Sequence, residues 1–140
     1  RIEGQTIKHD TQYTLDGLDR DDGLPLADTI VAGTFDVVSL PGSSHPIART
    51  HPETGRKALY IGRRQNTYIN GLSVTDSEAL LDILWAHVDT CGEQTYIHRW
   101  QIGDLMIWDN RCAMHRRDEF SSNVRRIMHR TQVRADAAPA

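Results

Sequence analysis

Leu105-Met106-Ile107-Trp108-Asp109-Asn110-Arg111-Cys112-Ala113-Met114-His115 is an apolar run of strand length that breaks into charged and amide side chains, with a histidine just beyond. Leu105–Trp108 suits a buried strand bounded by turns. Gly103-Asp104 supplies a tight turn ahead of it, Thr95–Gln101 alternates before that turn, and Arg125–Val133 alternates again downstream. The quoted stretch is therefore the middle one of three successive predicted strands. It places the distal part of the chain in a β-rich class.

Working outward, Phe35–Leu40 and His45–Thr50 read as further strands. Pro52-Glu53-Thr54-Gly55 has turn chemistry, since Pro fixes φ and Gly accepts a positive φ. Lys57–Ile61 then returns antiparallel, and Asn70-Gly71 marks another turn. One helix is well signalled. Thr75-Asp76-Ser77-Glu78 fits a capping box, with Val74 and Ala79 as its hydrophobic staple. Leu80, Leu81, Leu84, Trp85 and Val88 recur at helical spacing, and Gly92 is expected to end the helix in a left-handed conformation. Arg1–Asp10 reads as the end of a second helix. Residues 10–33, with Asp-Gly at 16–17 and 22–23, read as a long loop or lid. The expectation is one domain, residues 1–140, mainly β with one or two helices.

Composition agrees with an ordinary globular chain: 39% hydrophobic and 25% charged. No apolar run approaches the roughly 20 residues of a membrane span. The chain opens on Arg1, so an upstream segment is expected. Cys91 and Cys112 form no C-x-x-C pair and no zinc spacing, which favours a reduced, cytoplasmic protein over a single disulfide. Arg1–Asp36 carries 8 acids against 3 bases, whereas Val37–Ala140 carries 11 acids against 13 bases. The Arg-rich tail invites a nucleic-acid reading. Its arginines alternate with Ile127, Met128 and Val133, and aromatic stacking residues are absent there, so no nucleic-acid partner is expected. Nothing resembles a Ser-His-Asp triad, a Walker loop or a dinucleotide fingerprint.

Trp108–His115, Arg125-Arg126-Ile127-Met128-His129-Arg130, the stretch Arg49–Leu59 and His98-Arg99-Trp100 together resemble the distal half of the active site in the taurine/2,4-dichlorophenoxyacetate dioxygenase family (TauD/TfdA-like). The resemblance runs from about His45 to Thr131 with the segments in family order. It implies part of a double-stranded β-helix, or jelly roll. It also implies Fe(II), 2-oxoglutarate as cosubstrate, and hydroxylation of a small organic sulfonate or carboxylate. A mononuclear Fe(II) oxygenase takes two imidazoles and one carboxylate on one octahedral face. On the resemblance, His115 is the second histidine ligand. Arg126 holds the distal carboxylate of 2-oxoglutarate, and Arg130 contacts the anionic group of the substrate.

Chemistry supports those residue types without fixing their roles. Arg126 and Arg130 share one face of a strand, about 13 Å apart, and a guanidinium binds a carboxylate through two parallel hydrogen bonds. The competing reading is a solvent-facing strand edge guarded by charge.

The family's other two ligands come from an earlier His-x-Asp/Glu motif, and none is found in place. His87-Val88-Asp89 sits in the last turn of the predicted helix, where residues two apart point about 200° from each other. His9-Asp10 lacks the intervening residue. His45 and His51 read as structural or exposed, His98 as core on one face with Tyr96 and Trp100, and His129 as facing away from the two arginines. The chain thus reads as the C-terminal portion of such an enzyme and is expected to be inactive alone. The alternative is a non-catalytic jelly-roll protein that binds a small anion or a partner chain, its exposed sheet edges favouring a homo-oligomer.

Overall fold

The computed structural model of the chain describes residues 2–14, 17–62, 64–119, 121, 123 and 125–133. Arg1 and Asp16, each part of a stretch read above, lie outside the described residues. In chain order the elements are β1 (Thr6–Asp10), α1 (Leu26–Val31), β2 (Gly42–Pro46), β3 (Ala48–Thr50), β4 (Lys57–Leu59), β5 (Tyr68–Ile69) and α2 (Val74–Asp89), then a 3-10 turn, Gly92–Gln94. The result is a β-rich arrangement with two α-helices.

Strands β2, β1 and β5 form an antiparallel sheet in that order, and β3 pairs with β4 in a second, two-stranded one. β1 corrects the helix expected over Arg1–Asp10. Its single apolar residue, Ile7, gives almost no periodic signal, yet it sits opposite His45 on one side and Ile69 on the other. Pairing on both flanks outweighs local propensity. Close approach also fixes Gly42. A Cβ there would stand 2.1 Å from the His9 carbonyl oxygen, so β2 lies against β1 only with glycine at that place.

The core joins Ile7, Ile47, Ile61 and Ile69 to Leu80, Leu81 and Leu84 on α2, with Trp85 and Val88 packed at its margin. The apolar stripe read from the sequence is therefore the buried face of α2. Each such side chain contributes about 1.5–3 kcal/mol of burial. Ser77, fully buried on the same face, accepts a hydrogen bond from the Ile69 backbone N–H at 2.9 Å and satisfies the edge of β5.

Both ends of α2 differ from expectation. The N-cap is Ser73, whose Oγ accepts from Asp76 N at 3.1 Å and donates to the Asp76 carboxylate at 2.7 Å. Ser73-Val74-Thr75-Asp76 has the same Ser-x-x-acid spacing as the predicted box and starts the helix two residues sooner, leaving Val74 as its first, half-exposed residue. Gly92 has no left-handed φ; the helix ends at Asp89 and runs through Thr90 into the 3-10 turn.

The predicted turns stand, with Gly55 at φ 67°, Gly71 at φ 82° and Gly103 at φ 92°. The strand expected over Phe35–Leu40 does not. Asp36 closes a turn there, its carboxylate accepting from Val38 N at 3.0 Å and its carbonyl from Ser39 N at 3.2 Å. The expected loop over residues 10–33 is interrupted by α1 and by the bridges Tyr13↔Asp19 and Leu18↔Pro25.

The largest difference lies after the helix. Thr95–Gln101, Leu105–Trp108 and Arg125–Val133 are not in strands. Ile97, Leu105 and Ile107 are each more than three-quarters exposed, at 76%, 82% and 83%. Alternation encodes an extended backbone, but a strand also needs a neighbour for its N–H and C=O groups. Among the described residues no strand pairs with these segments.

His45 makes the fold sensitive to acid. Its ring meets Tyr60 at 5.4 Å and His9 at 5.8 Å, and the buried Arg49 guanidinium lies 5.1 Å over Tyr60. Burial, then the Arg49 charge, holds the His45 pKa below the usual histidine range. The unfolded chain therefore takes up this proton more readily. The contribution of neutral His45 is complete above the unfolded pKa and is lost as pH falls through the folded one. Melting temperature is expected to fall between about pH 7 and about pH 5, and to fall less steeply in His45→Gln. Equal slopes in the two proteins would show that His45 is not the responsible group.

Candidate metal and anion site

The indole of Trp108 gathers two of the three residues singled out in the sequence. The His115 ring lies 5.0 Å from it, and the Arg130 guanidinium lies 6.0 Å over it. Trp108 Nε1 donates to Asn110 Oδ1 at 2.8 Å, which fixes the ring plane from the adjacent turn. An imidazole nitrogen that suits a metal and a fork that suits a carboxylate thus share one aromatic support. Arg126 lies four residues before Arg130 and is exposed. The two arginines are not aligned on a strand face, because residues 125–133 are not in a strand.

The residue after Trp108, Asp109, belongs to a clasp built on one buried histidine. His51, only 7% exposed, follows β3 at the start of the turn to β4. Its Nδ1 accepts from the backbone N–H groups of Glu53 and Thr54, both at 3.3 Å, and its Nε2 lies 3.0 Å from Asp109 Oδ2. Asp109 also accepts from Arg111 through Nε at 2.9 Å and Nη2 at 2.6 Å. Arg111 Nη2 reaches the Glu53 carboxylate at 3.0 Å and closes a ring of four residues through the Glu53 backbone N–H. Hydrogen bonds from Arg111, then from His51, hold the Asp109 carboxyl far below the usual carboxylate range. Asp109 and Arg111 are thus engaged in hydrogen bonds to each other and to their neighbours. His51 was expected to be structural or exposed and is structural; the sequence carried no sign of its partner 58 positions away.

His51, Asp109 and Cys112 are the trio of metal-capable side chains, among the described residues, whose donor atoms converge within 4.8 Å. His115 is not one of them. His87 and Asp89 occupy the last turn of α2, as expected. Tyr96, His98 and Trp100 do share one side, with ring centroids 6.0 and 4.6 Å apart. That side is not core: Tyr96 is 75% exposed, and His98 Nε2 turns to Asp104 at 3.0 Å.

The Trp108–His115 turn and the Arg126/Arg130 pair lie within a family match that covers nearly the whole chain. The model of the "Taurine catabolism dioxygenase TauD, TfdA family" matches residues 2–132. The chain belongs to the TauD/TfdA family. Enzymes of the TauD/TfdA family use Fe(II) and 2-oxoglutarate. Among curated TauD/TfdA relatives, the α-ketoglutarate-dependent 2,4-dichlorophenoxyacetate dioxygenase of Cupriavidus pinatubonensis is 35% identical over 98% of this chain and 48% of its own length. The (S)-phenoxypropionate/α-ketoglutarate-dioxygenase of Sphingobium herbicidovorans is 38% identical over 70% of the chain and 33% of its own. The α-ketoglutarate-dependent sulfate ester dioxygenase of Pseudomonas putida is 42% identical over 52% of the chain and 24% of its own. At most about half the length of these three relatives is spanned. No solved structure matches the chain.

Proposed function

We propose that this chain is the C-terminal part of an Fe(II)- and 2-oxoglutarate-dependent dioxygenase that hydroxylates a small organic sulfonate or carboxylate. His115 supplies one of three iron ligands, Arg126 binds the distal carboxylate of 2-oxoglutarate, and Arg130 binds the anionic group of the substrate. The observation that carries this reading is the contact of His115 and Arg130 with one indole, Trp108. The names of the relatives, which act on aryloxyalkanoates or a sulfate ester, support the substrate class.

The residues present do not complete an iron site. The His115 imidazole and the Arg130 guanidinium share the Trp108 ring, and no second histidine with a carboxylate joins His115 among the described residues. The missing pair is assigned to an upstream part of the same protein. That part also pairs the exposed segments Thr95–Gln101, Leu105–Trp108 and Arg125–Val133 into a double-stranded β-helix. Cytoplasmic residence belongs to the same reading, supported by two free thiols, Cys91 and Cys112.

The test isolates the gene product from its source cell with an antibody to residues 73–89, and measures its mass and its iron-dependent succinate release. A polypeptide about twice the 15.9 kDa of this chain, active with a sulfonate or aryloxy carboxylate, is expected. The 15.9 kDa chain itself is expected to release none. Succinate release by the short chain would place all the ligands within it. A short native product stabilised by anions but indifferent to iron would instead mean a non-catalytic binding protein.

A further inference from the structure

The same atoms of His51, Asp109 and Cys112 admit two readings, a second metal site or a rigid joint, and the tautomer of His51 decides between them. Nδ1 faces two backbone N–H donors, from Glu53 and Thr54, so it must carry a lone pair. A neutral ring then bears its hydrogen on Nε2, aimed at Asp109 Oδ2 at 3.0 Å. Binding a metal through Nε2 would move that hydrogen to Nδ1, against the two donors. The Asp109 carboxylate is moreover already occupied by the Arg111 guanidinium. His51 is a donor here, not a ligand.

What the donor holds is the root of the turn that leads to His115. The Asp109 carbonyl accepts from Ala113 N at 3.0 Å and Cys112 N at 3.3 Å, turning the chain towards Met114 and His115. Trp108, the residue before Asp109, carries the His115 ring. The side chain of Asp109 is anchored by a residue 93% buried, itself locked to the β3–β4 turn. This anchor comes from across the fold, whereas the Arg111 contact is local and partly exposed.

We propose that His51 is a positioning residue for the metal-bearing segment: through its Nε2–H it fixes Asp109, and through Asp109 the direction in which His115 presents its imidazole. This rests on the reading of His115 as a metal ligand. An orienting hydrogen bond behind a ligand typically changes metal affinity 10- to 100-fold.

The experiment uses the full-length protein with Co(II) as probe, because its visible absorption reports ligand geometry as well as affinity. His51→Asn keeps an acceptor near Nδ1 but loses the donor towards Asp109. It is expected to weaken Co(II) binding about 10- to 100-fold and to alter the absorption bands. His51→Gln restores an N–H at the reach of Nε2 and is expected to recover most of both. Wild-type affinity and bands in His51→Asn would overturn the inference, as would a loss that His51→Gln does not relieve. His115→Ala separates the two layers: intact Co(II) binding in that variant would remove the ligand reading, and with it the inference. A further measurement needs no variant. Imidazole ¹⁵N shifts of the wild-type chain are expected to show His51 protonated on Nε2 and unmoved by Zn²⁺. Protonation on Nδ1 would overturn the donor role, and a Zn²⁺-dependent shift would make His51 a metal ligand instead.

Discussion

Full-length protein carrying His115→Ala is expected to lose bound iron and to drop at least about 100-fold in 2-oxoglutarate turnover, beyond the range for loss of an outer-layer hydrogen bond. Three protein ligands hold a mononuclear iron of this class, and removing one leaves a site that exchanges metal with buffer. The change should not cost stability. His115 is exposed, and its ring meets Trp108 outside the core cluster. Iron content by mass spectrometry, succinate release and a melting curve on the same sample check all three statements. An unchanged iron content would show that the ligand lies elsewhere.

The second large effect is on stability and comes from Ile47. This residue is fully buried between β2 and β3, donates its N–H to Gln5 O at 3.0 Å and accepts from Tyr60 N at 2.7 Å. It therefore joins the two sheets through its backbone while its side chain fills the core. Ile47→Ala is expected to cost about 2–5 kcal/mol, the lost burial plus the cavity left behind. For a chain of this size that is a fall in melting temperature on the order of 10 °C. Val38→Ala, at a site 45% exposed, should stay within about 0.5 kcal/mol and serves as the control. A loss under about 1 kcal/mol at Ile47 would mean that the core cluster collapses around the gap.

These two predictions differ in how legible their residues were. The stripe on α2 could be read because helical spacing repeats within one element, and Leu80, Leu81 and Leu84 are buried. Turns at Gly55, Gly71 and Gly103 could be read because positive φ selects its residue locally. β1 could not, since what makes it a strand is a pair of neighbours 32–62 positions away. The Ser73 cap was missed for a different reason: two overlapping Ser/Thr-x-x-acid registers both fit, and the choice falls to tertiary packing of the stripe.

The candidate site divides in the same way. His115, Arg126 and Arg130 rest on a linear motif and were named from it. Trp108 as the common support was not, because an aromatic ring says nothing in sequence about what rests on it. His51 was passed over since its meaning depends on Asp109, and no spacing rule spans 58 residues. The distal strands show the converse. Their alternation is plain, yet an extended backbone becomes a strand only beside a partner.

The central place of β1 has a consequence for synthesis. The strand is made early in this stretch, but its second flank, Tyr68–Ile69, follows about 60 residues later. At about 5–20 residues per second the ribosome takes roughly 3–12 s to deliver that flank. During the wait Thr6-Ile7-Lys8-His9-Asp10 offers only one apolar side chain, and the stretch that trails it is rich in aspartate. A nascent segment of that composition has little to aggregate with, so the strand that organises the sheet can idle in water until its neighbours arrive.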